Sequence, residues 1–380
     1  MTSSGNGGCF IAQCETLFRT EFCMEAGMKQ QFSSYREEDV TILLKDITGQ
    51  VAPMGTEERE KRIQSGVHYS EMLPVEYRPS QAYLKAYYDA LERYAGITAR
   101  AVSVVAEKIR AEKKKDAVLV SLARAGTPIG ILIRHYLKMK YHADTVHYTV
   151  SIIRGIGIDR NAMEYILERH PADSIQFVDG WTGKGAIQRQ LNEAMRDYPG
   201  VSPGLAVLSD PARVAEKWGT REDFLIASSC LNSTVSGLLS RTFLRKDIIG
   251  EKDFHGAVFY RELRGEDLTY HFLETVEKLF DFSASADTKE TESPGSGMDE
   301  VREICEKFGI RDINLVKPGI GEATRVLLRR MPWKILVHSL RDEEHLGHLY
   351  LLAREKGVEM LEYPLKNYRA CGLIRALADT

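Results

Sequence analysis

Ala117-Val118-Leu119-Val120-Ser121-Leu122-Ala123-Arg124-Ala125-Gly126-Thr127-Pro128-Ile129-Gly130 opens with a nearly all-apolar run, the composition of a parallel strand covered on both faces. Small residues and one arginine then make a turn, and Thr127-Pro128 supplies an N-cap and an N1 proline for a helix over residues 129–140. The pattern returns in Phe177-Val178-Asp179-Gly180-Trp181-Thr182-Gly183-Lys184-Gly185, again a strand end before a helix. Alternation continues on both sides. Helices are expected over residues 80–94, stopped by Gly96, and over 101–113, 161–168 and around Ile187, Leu191 and Met195. Strands are expected at 146–152, 174–178, 205–208 and 224–227. This predicts a doubly wound, mostly parallel α/β sheet, whose ligands sit beyond the carboxyl ends of the strands.

The chain has 380 residues, 43% hydrophobic and 28% charged, with a net charge of −3. Those values predict a folded protein and exclude a global basic field that would drive it onto nucleic acid or anionic lipid. No apolar stretch approaches the ~20 residues of a membrane helix, and the first residues lack a signal-peptide pattern, so a cytoplasmic address and no membrane partner are expected. Cys9, Cys14 and Cys23 match no common zinc spacing and read as reduced thiols. Residues 1–30 read as an N-terminal extension, 31–282 as the main domain, 283–298 as a Ser/Thr/Gly-rich linker and 299–380 as a small second α/β domain of net charge +1. In that second domain, strands are expected at 313–316, 334–338 and 358–361, and helices at 322–330, 343–355 and 368–376.

In the first loop, Ser121, Arg124, Ala125 and Gly126 combine free N–H groups with a guanidinium, a pyrophosphate-binding chemistry. In the second, Gly180, Gly183 and Gly185 let the backbone approach a phosphate, Thr182 offers a hydroxyl and Lys184 a point charge. Asp179 at the strand tip suits ribose hydroxyls. The loop is not a Walker A motif, since Val178 stands where the first glycine belongs and Gly185 where Ser or Thr would bind magnesium. Arg154 is positioned to cover a diphosphate, and Asp210 to hold a magnesium water or a base. His68 and His147 are titratable candidates, and His345-x-x-His348 reads as a solvated helix face. A different chemistry is offered by Ala227-Ser228-Ser229-Cys230-Leu231-Asn232-Ser233-Thr234, where Cys230 could act as a nucleophile with His255 as its base.

The two loops together resemble the type I phosphoribosyltransferase pattern, with Gly180 replacing the second of that family's paired acids. The stretches at residues 61–71, 119–130, 151–161, 175–187 and 219–242 resemble, more closely, the bacterial phosphoribosyltransferase-like family of tellurite-resistance stress operons, also labelled the cysteine protease StiP family. The resemblance spans residues 39–272. It implies a type I phosphoribosyltransferase fold and transfer of a phosphoribosyl group between a base or nucleotide and pyrophosphate, with phosphoribosyl pyrophosphate and Mg2+ as substrate and cofactor. The alternatives are a thiol hydrolase at Cys230 and a nucleotide-sensing module without turnover. Residues 327–337 and 368–372 resemble the Pelota-type RNA-binding domain, which implies structured RNA as a partner through Lys317, Arg329, Arg330, Trp333 and Lys334. The sequence leaves the oligomeric state open.

Overall fold

The computed structural model describes Met1 and residues 32–114, 116–287 and 295–375. The chain divides into Met1–Ser33 and Ser34–Thr380, and the architecture described belongs to the second unit. Cys9, Cys14, Cys23 and residues 288–294 of the expected linker lie outside the described residues.

Six strands form the central sheet: β1 (Thr41–Ile42), β2 (Val118–Leu122), β3 (Val146–Val150), β4 (Ile175–Trp181), β5 (Leu205–Ser209) and β6 (Lys217–Thr220). Their order is β1-β3-β2-β4-β5-β6, with every neighbour parallel. The strands flanking β2 are β3 and β4, so the order reverses there and the loops after β2 and β4 open side by side.

Helices of this region are α1 (Thr56–Gln64), α2 (Gln81–Lys113), α3 (Gly126–Tyr141), α4 (Arg160–Leu167), α5 (Ala186–Ala194) and α6 (Thr269–Glu277). Both faces of the sheet are covered. Val118, Val120 and Leu122 pack with Ala162, Met163 and Ile166 of α4 and Leu191 of α5. On the opposite face α3 comes so close that a Cβ at Gly126 would lie 2.5 Å from the carbonyl oxygen of Val178. No helix among the described residues is long and apolar enough to cross a membrane.

Three local expectations are corrected here. The helices expected at 80–94 and 101–113 are one 33-residue helix, α2, running through Gly96. A helical glycine costs about 1 kcal/mol, and the long buried face of α2, from Ala86 to Ile109, outweighs it. Residues 224–227 are not a strand. The sheet's edge is β6, whose Gly219 admits α2 so closely that a Cβ there would meet Ala101 at 2.6 Å. Helix α3 begins at Gly126 rather than after Pro128, so the expected Thr127 cap is an internal residue.

The C-terminal region holds α7 (Gly297–Phe308), β7 (Val316–Pro318), α8 (Ile320–Arg329), β8 (Pro332–Val337), α9 (Glu343–Lys356), β9 (Glu359–Glu362) and β10 (Ala370–Ile374). These strands form a mixed sheet in the order β7-β10-β8-β9, antiparallel except for β8 with β9. The helix expected at 368–376 is instead strand β10, flanked on both sides in the sheet and buried along its whole length. Gly372 packs under α8, where a Cβ would meet Val326 at 2.9 Å, and that close approach favours the strand.

Candidate functional site

A cleft of about 560 Å³ lies beyond the carboxyl ends of β2 and β4, between the central sheet and the C-terminal domain. Nine of its lining residues are Arg or Lys and only three, Glu76, Asp179 and Glu322, are acidic. The core contributes Arg59, Arg124, Arg154, Lys184 and Arg241, and the C-terminal domain Lys317, Arg325, Arg329 and Arg330. Arg154, Arg241, Lys317 and Arg329 form no ion pair with a carboxylate among the described residues. Burial, with Arg59, Arg124 and Arg154 nearby, pushes Arg241 down to about 10. Burial and the neighbouring Arg154 and Lys184 push Lys317 down to about 7. Burial and Arg325 push Arg329 down to about 9. Charges held this way face one another in a poorly solvated space, where repulsion is strong.

Both expected loops reach the cleft. In the first, Arg124 and Ala125 line it, with the Arg124 guanidinium donating to the carbonyl of Leu239 at 2.9 Å and to Asn232 Oδ1 at 2.7 Å. Ser121 is sealed in the core, its hydroxyl paired with His147 Nε2 at 2.8 Å, and Gly126 serves packing against β4. In the second, Asp179 accepts from the Gly180 N–H at 2.8 Å, and burial pushes its carboxyl up to about 7. Gly183 and Gly185 line the cleft, the latter at φ +72°, a conformation that suits glycine.

Other side chains of that loop are occupied. The Thr182 hydroxyl donates to Asp210 at 2.5 Å, and Lys184 Nζ donates to the carbonyls of Ile313 at 2.5 Å and Val316 at 3.2 Å in the C-terminal domain. Burial and Arg154 push Lys184 down to about 8. Asp210 is fully buried, accepts from the N–H groups of Val214 and Ala215, and pairs with Arg221, so it staples its own turn. Arg154 does face the cleft, with its guanidinium 5.3 Å from the centre of the Tyr69 ring.

The histidines have structural partners. His68 bonds Ser70 Oγ and the Arg154 carbonyl. His147 is buried between Ser121 and the Asp39 carbonyl, and burial pushes it down to about 4. His348 is not on a solvated face, for its Nε2 meets Thr324 Oγ1 at 3.0 Å and burial pushes it down to about 4.

Cys230 lines the cleft at the end of a short turn, Ala227–Cys230. Its thiol reaches the Ala86 carbonyl at 3.7 Å, and burial pushes it up to about 12, against the opposing pull of Arg329 and Arg325. His255 is engaged elsewhere, with Nδ1 2.8 Å from Ser151 Oγ and its backbone N–H donating to Asp159. The structure does not pair the two.

Of the residues expected to contact RNA, Lys317, Arg329 and Arg330 face the cleft. Trp333 packs edge-on against Phe308 in the C-terminal core, and Lys334 pairs with Glu359. Arg59, Arg241, Arg325 and Glu322 escaped the sequence reading. The spacing Glu322, Arg325, Arg329 was the available signal, since residues three and four apart share a helix face.

Residues 33–277 match the family model described as "Tellurite-like stress resistance cysteine protease StiP", and residues 295–376 match that of the PELOTA RNA binding domain. A relative from Acinetobacter baylyi named "Cysteine protease StiP" is 34% identical over 371 residues, covering 92% of this chain and 96% of its own. Both names carry cysteine-protease chemistry. They overturn the reading of the chain as a phosphoribosyltransferase and, with it, the expected phosphoribosyl pyrophosphate and magnesium chemistry. The geometry already strains that reading, because Lys184 and Asp210 are committed to internal partners. With one family model spanning most of its length and a second covering its C-terminal region, this chain belongs to the StiP family of tellurite-like stress resistance cysteine proteases and carries a Pelota-type domain.

Proposed function

We propose that this protein is a thiol peptidase that uses Cys230 as its nucleophile on acidic stretches of polypeptide. The carrying observation is that, of the three described cysteines, Cys230 alone lines the cationic cleft. Cys305 and Cys371 belong to the C-terminal core. The sheet order and the two strand-to-helix loops support a core of type I phosphoribosyltransferase fold, put to thiol chemistry.

In this reading the thiolate sulfur of Cys230 attacks the scissile carbonyl carbon. The C–N bond breaks as the amine takes up a proton, and water then hydrolyses the thioester to free acid and thiol. A nucleophile must be a thiolate, and the burial of Cys230 opposes that. Arg325 and Arg329 favour the thiolate once the desolvation is relieved. Substrate carboxylates would be held by Arg124, Arg154 and Arg241 and by the N–H groups of Gly183-Lys184-Gly185.

Cleavage of fluorogenic peptides by the full chain tests this. Glu-rich peptides should be cut in preference to Lys-rich ones, and Cys230→Ser should lower the rate at least a hundredfold while leaving the circular dichroism spectrum unchanged. A Cys230→Ser protein as active as the wild type would overturn the assignment.

A further inference from the structure

Cys230 is covered from two sides. Helix α2 lies on one, where the thiol meets Ala86. On the other lies α8 of the C-terminal domain, whose Arg329 donates to the carbonyls of Ser229 at 3.5 Å and Cys230 at 3.2 Å. Gly321 of the same helix lies so near that a Cβ there would sit 3.3 Å from Ser229 Oγ.

Polar groups hold α8 in place. Asp223 of the core accepts from the Ile320 N–H at 3.0 and 3.1 Å and from the Arg369 N–H at 2.9 Å. Arg330 forks onto the carboxylate of Glu60 in α1, with contacts of 2.9 and 3.1 Å. The Tyr368 hydroxyl donates to the Gly183 carbonyl at 2.6 Å, and the Tyr83 hydroxyl to that of Leu328. Contacts of this polar kind are typical of domain interfaces that separate.

The docked face is also electrostatically unfavourable. Lys317, Arg325, Arg329 and Arg330 share it with a single carboxylate, Glu322, and they look across the cleft at Arg124, Arg154 and Lys184. Glu60 of the core answers Arg330 and Glu322 answers Arg325, but Lys317 and Arg329 pair with no carboxylate among the described residues, and an external polyanion would give them that counter-charge. The docked cleft, at about 560 Å³, suits a small ligand rather than a folded nucleic acid, so the same cations reach an RNA backbone only when α8 leaves the core.

We propose that structured RNA and the core compete for this one face of the C-terminal domain, so that RNA binding lifts α8 and uncovers Cys230. RNA thereby acts as the opener of the thiol site. The biological consequence rests on the peptidase reading, but the test does not, since alkylation measures access to the thiol and not turnover.

The experiment treats the full-length protein with N-ethylmaleimide at pH 7.5 and low salt, with and without a pool of stem-loop RNAs, and follows Cys230 and Cys371 by peptide mass spectrometry. Cys371 lies in the C-terminal domain's own core, so its protection reports that the domain stays folded. RNA should speed labelling of Cys230 at least tenfold and leave Cys371 protected, and high salt should abolish the effect by weakening phosphate contacts. Asp223→Asn should speed Cys230 labelling without RNA. If that variant fails to fold, Glu60→Gln, which weakens the Arg330 contact, serves the same purpose. RNA that binds in a gel-shift assay while Cys230 stays protected overturns the proposal, and so does the absence of any RNA binding at low salt. Loss of the peptidase reading would show separately, as activity retained by Cys230→Ser.

Discussion

Two clusters of buried charge in this protein are built on opposite plans. Around Asp39, every charge has its counterpart. His135 of α3 bonds Asp39 through Nε2 and Glu277 of α6 through Nδ1, both at 2.7 Å, while Tyr270 donates to the second Asp39 oxygen at 2.7 Å. Burial opposes the charge on His135, but the two carboxylates overcome it and push the imidazole up to about 9. In the cleft the proportions are reversed, and Arg241, Lys317 and Arg329 are all pushed down, by burial first and by neighbouring cations after it. The contrast teaches that buried charge matched to a partner ties α3 to α6 as a structural knot. Buried charge in surplus marks a face meant for something else.

The comparison breaks most visibly if the knot is not a knot. Asp39→Ala removes one of the two carboxylates that hold the buried His135 imidazolium and the acceptor of the Tyr270 hydroxyl, and urea denaturation should show a loss of about 3–5 kcal/mol. A loss under about 1 kcal/mol would show that the cluster is loosely held.

The pH dependence comes next in size. His135 is raised in the folded state, so its contribution is complete below the unfolded value near 6.5 and disappears as pH rises through about 9. Stability should fall across that window by up to about 3 kcal/mol, and the fall should flatten in His135→Gln. Lys317 carries the opposite sign. Its folded-state value is lowered to about 7, so its penalty is complete below that pH and is relieved as pH rises toward the usual lysine range. A wild-type minus His135→Gln difference with no slope between pH 6.5 and 9 would remove His135 from the account.

The smallest effect is also the most discriminating. Lys317→Met keeps most of the side chain's bulk and removes one of the opposed cations, so it should be neutral or stabilising by about 1 kcal/mol, read as a rise in melting temperature. Destabilisation by 2 kcal/mol would mean that Lys317 has a compensating partner and that the cleft is not in surplus.

Much of this was legible in the linear chain. The apolar run at Val118–Leu122 and the glycine-rich turn after Ile175–Trp181 located two central strands and the edge of the cleft, because a strand buried on both faces leaves few residue choices. Arg124, Arg154 and Lys184 were found for the same local reason, as charges at strand ends. The resemblance of residues 39–272 located the family correctly, but it carried the wrong activity forward. Phosphate-like loops suggest the chemistry of a transferase, whereas Lys184 and Tyr368 turn one of those loops toward the C-terminal domain.

Amino-acid order by itself determined the α/β alternation, the placement of the two loops and the membership of both regions in their families, since each depends on periodicity or on contiguous motifs. Tertiary structure decided the rest. Gly96 stays helical because α2 has a sheet to cover, and residues 370–374 form a strand because two neighbours bond them. Cys230 is buried between α2 and α8, with Arg329, about a hundred residues away in sequence, donating to its carbonyl. Local propensities are worth about 1 kcal/mol or less per residue, while packing and charge burial are worth several, so contacts between distant segments outweigh them wherever the two disagree.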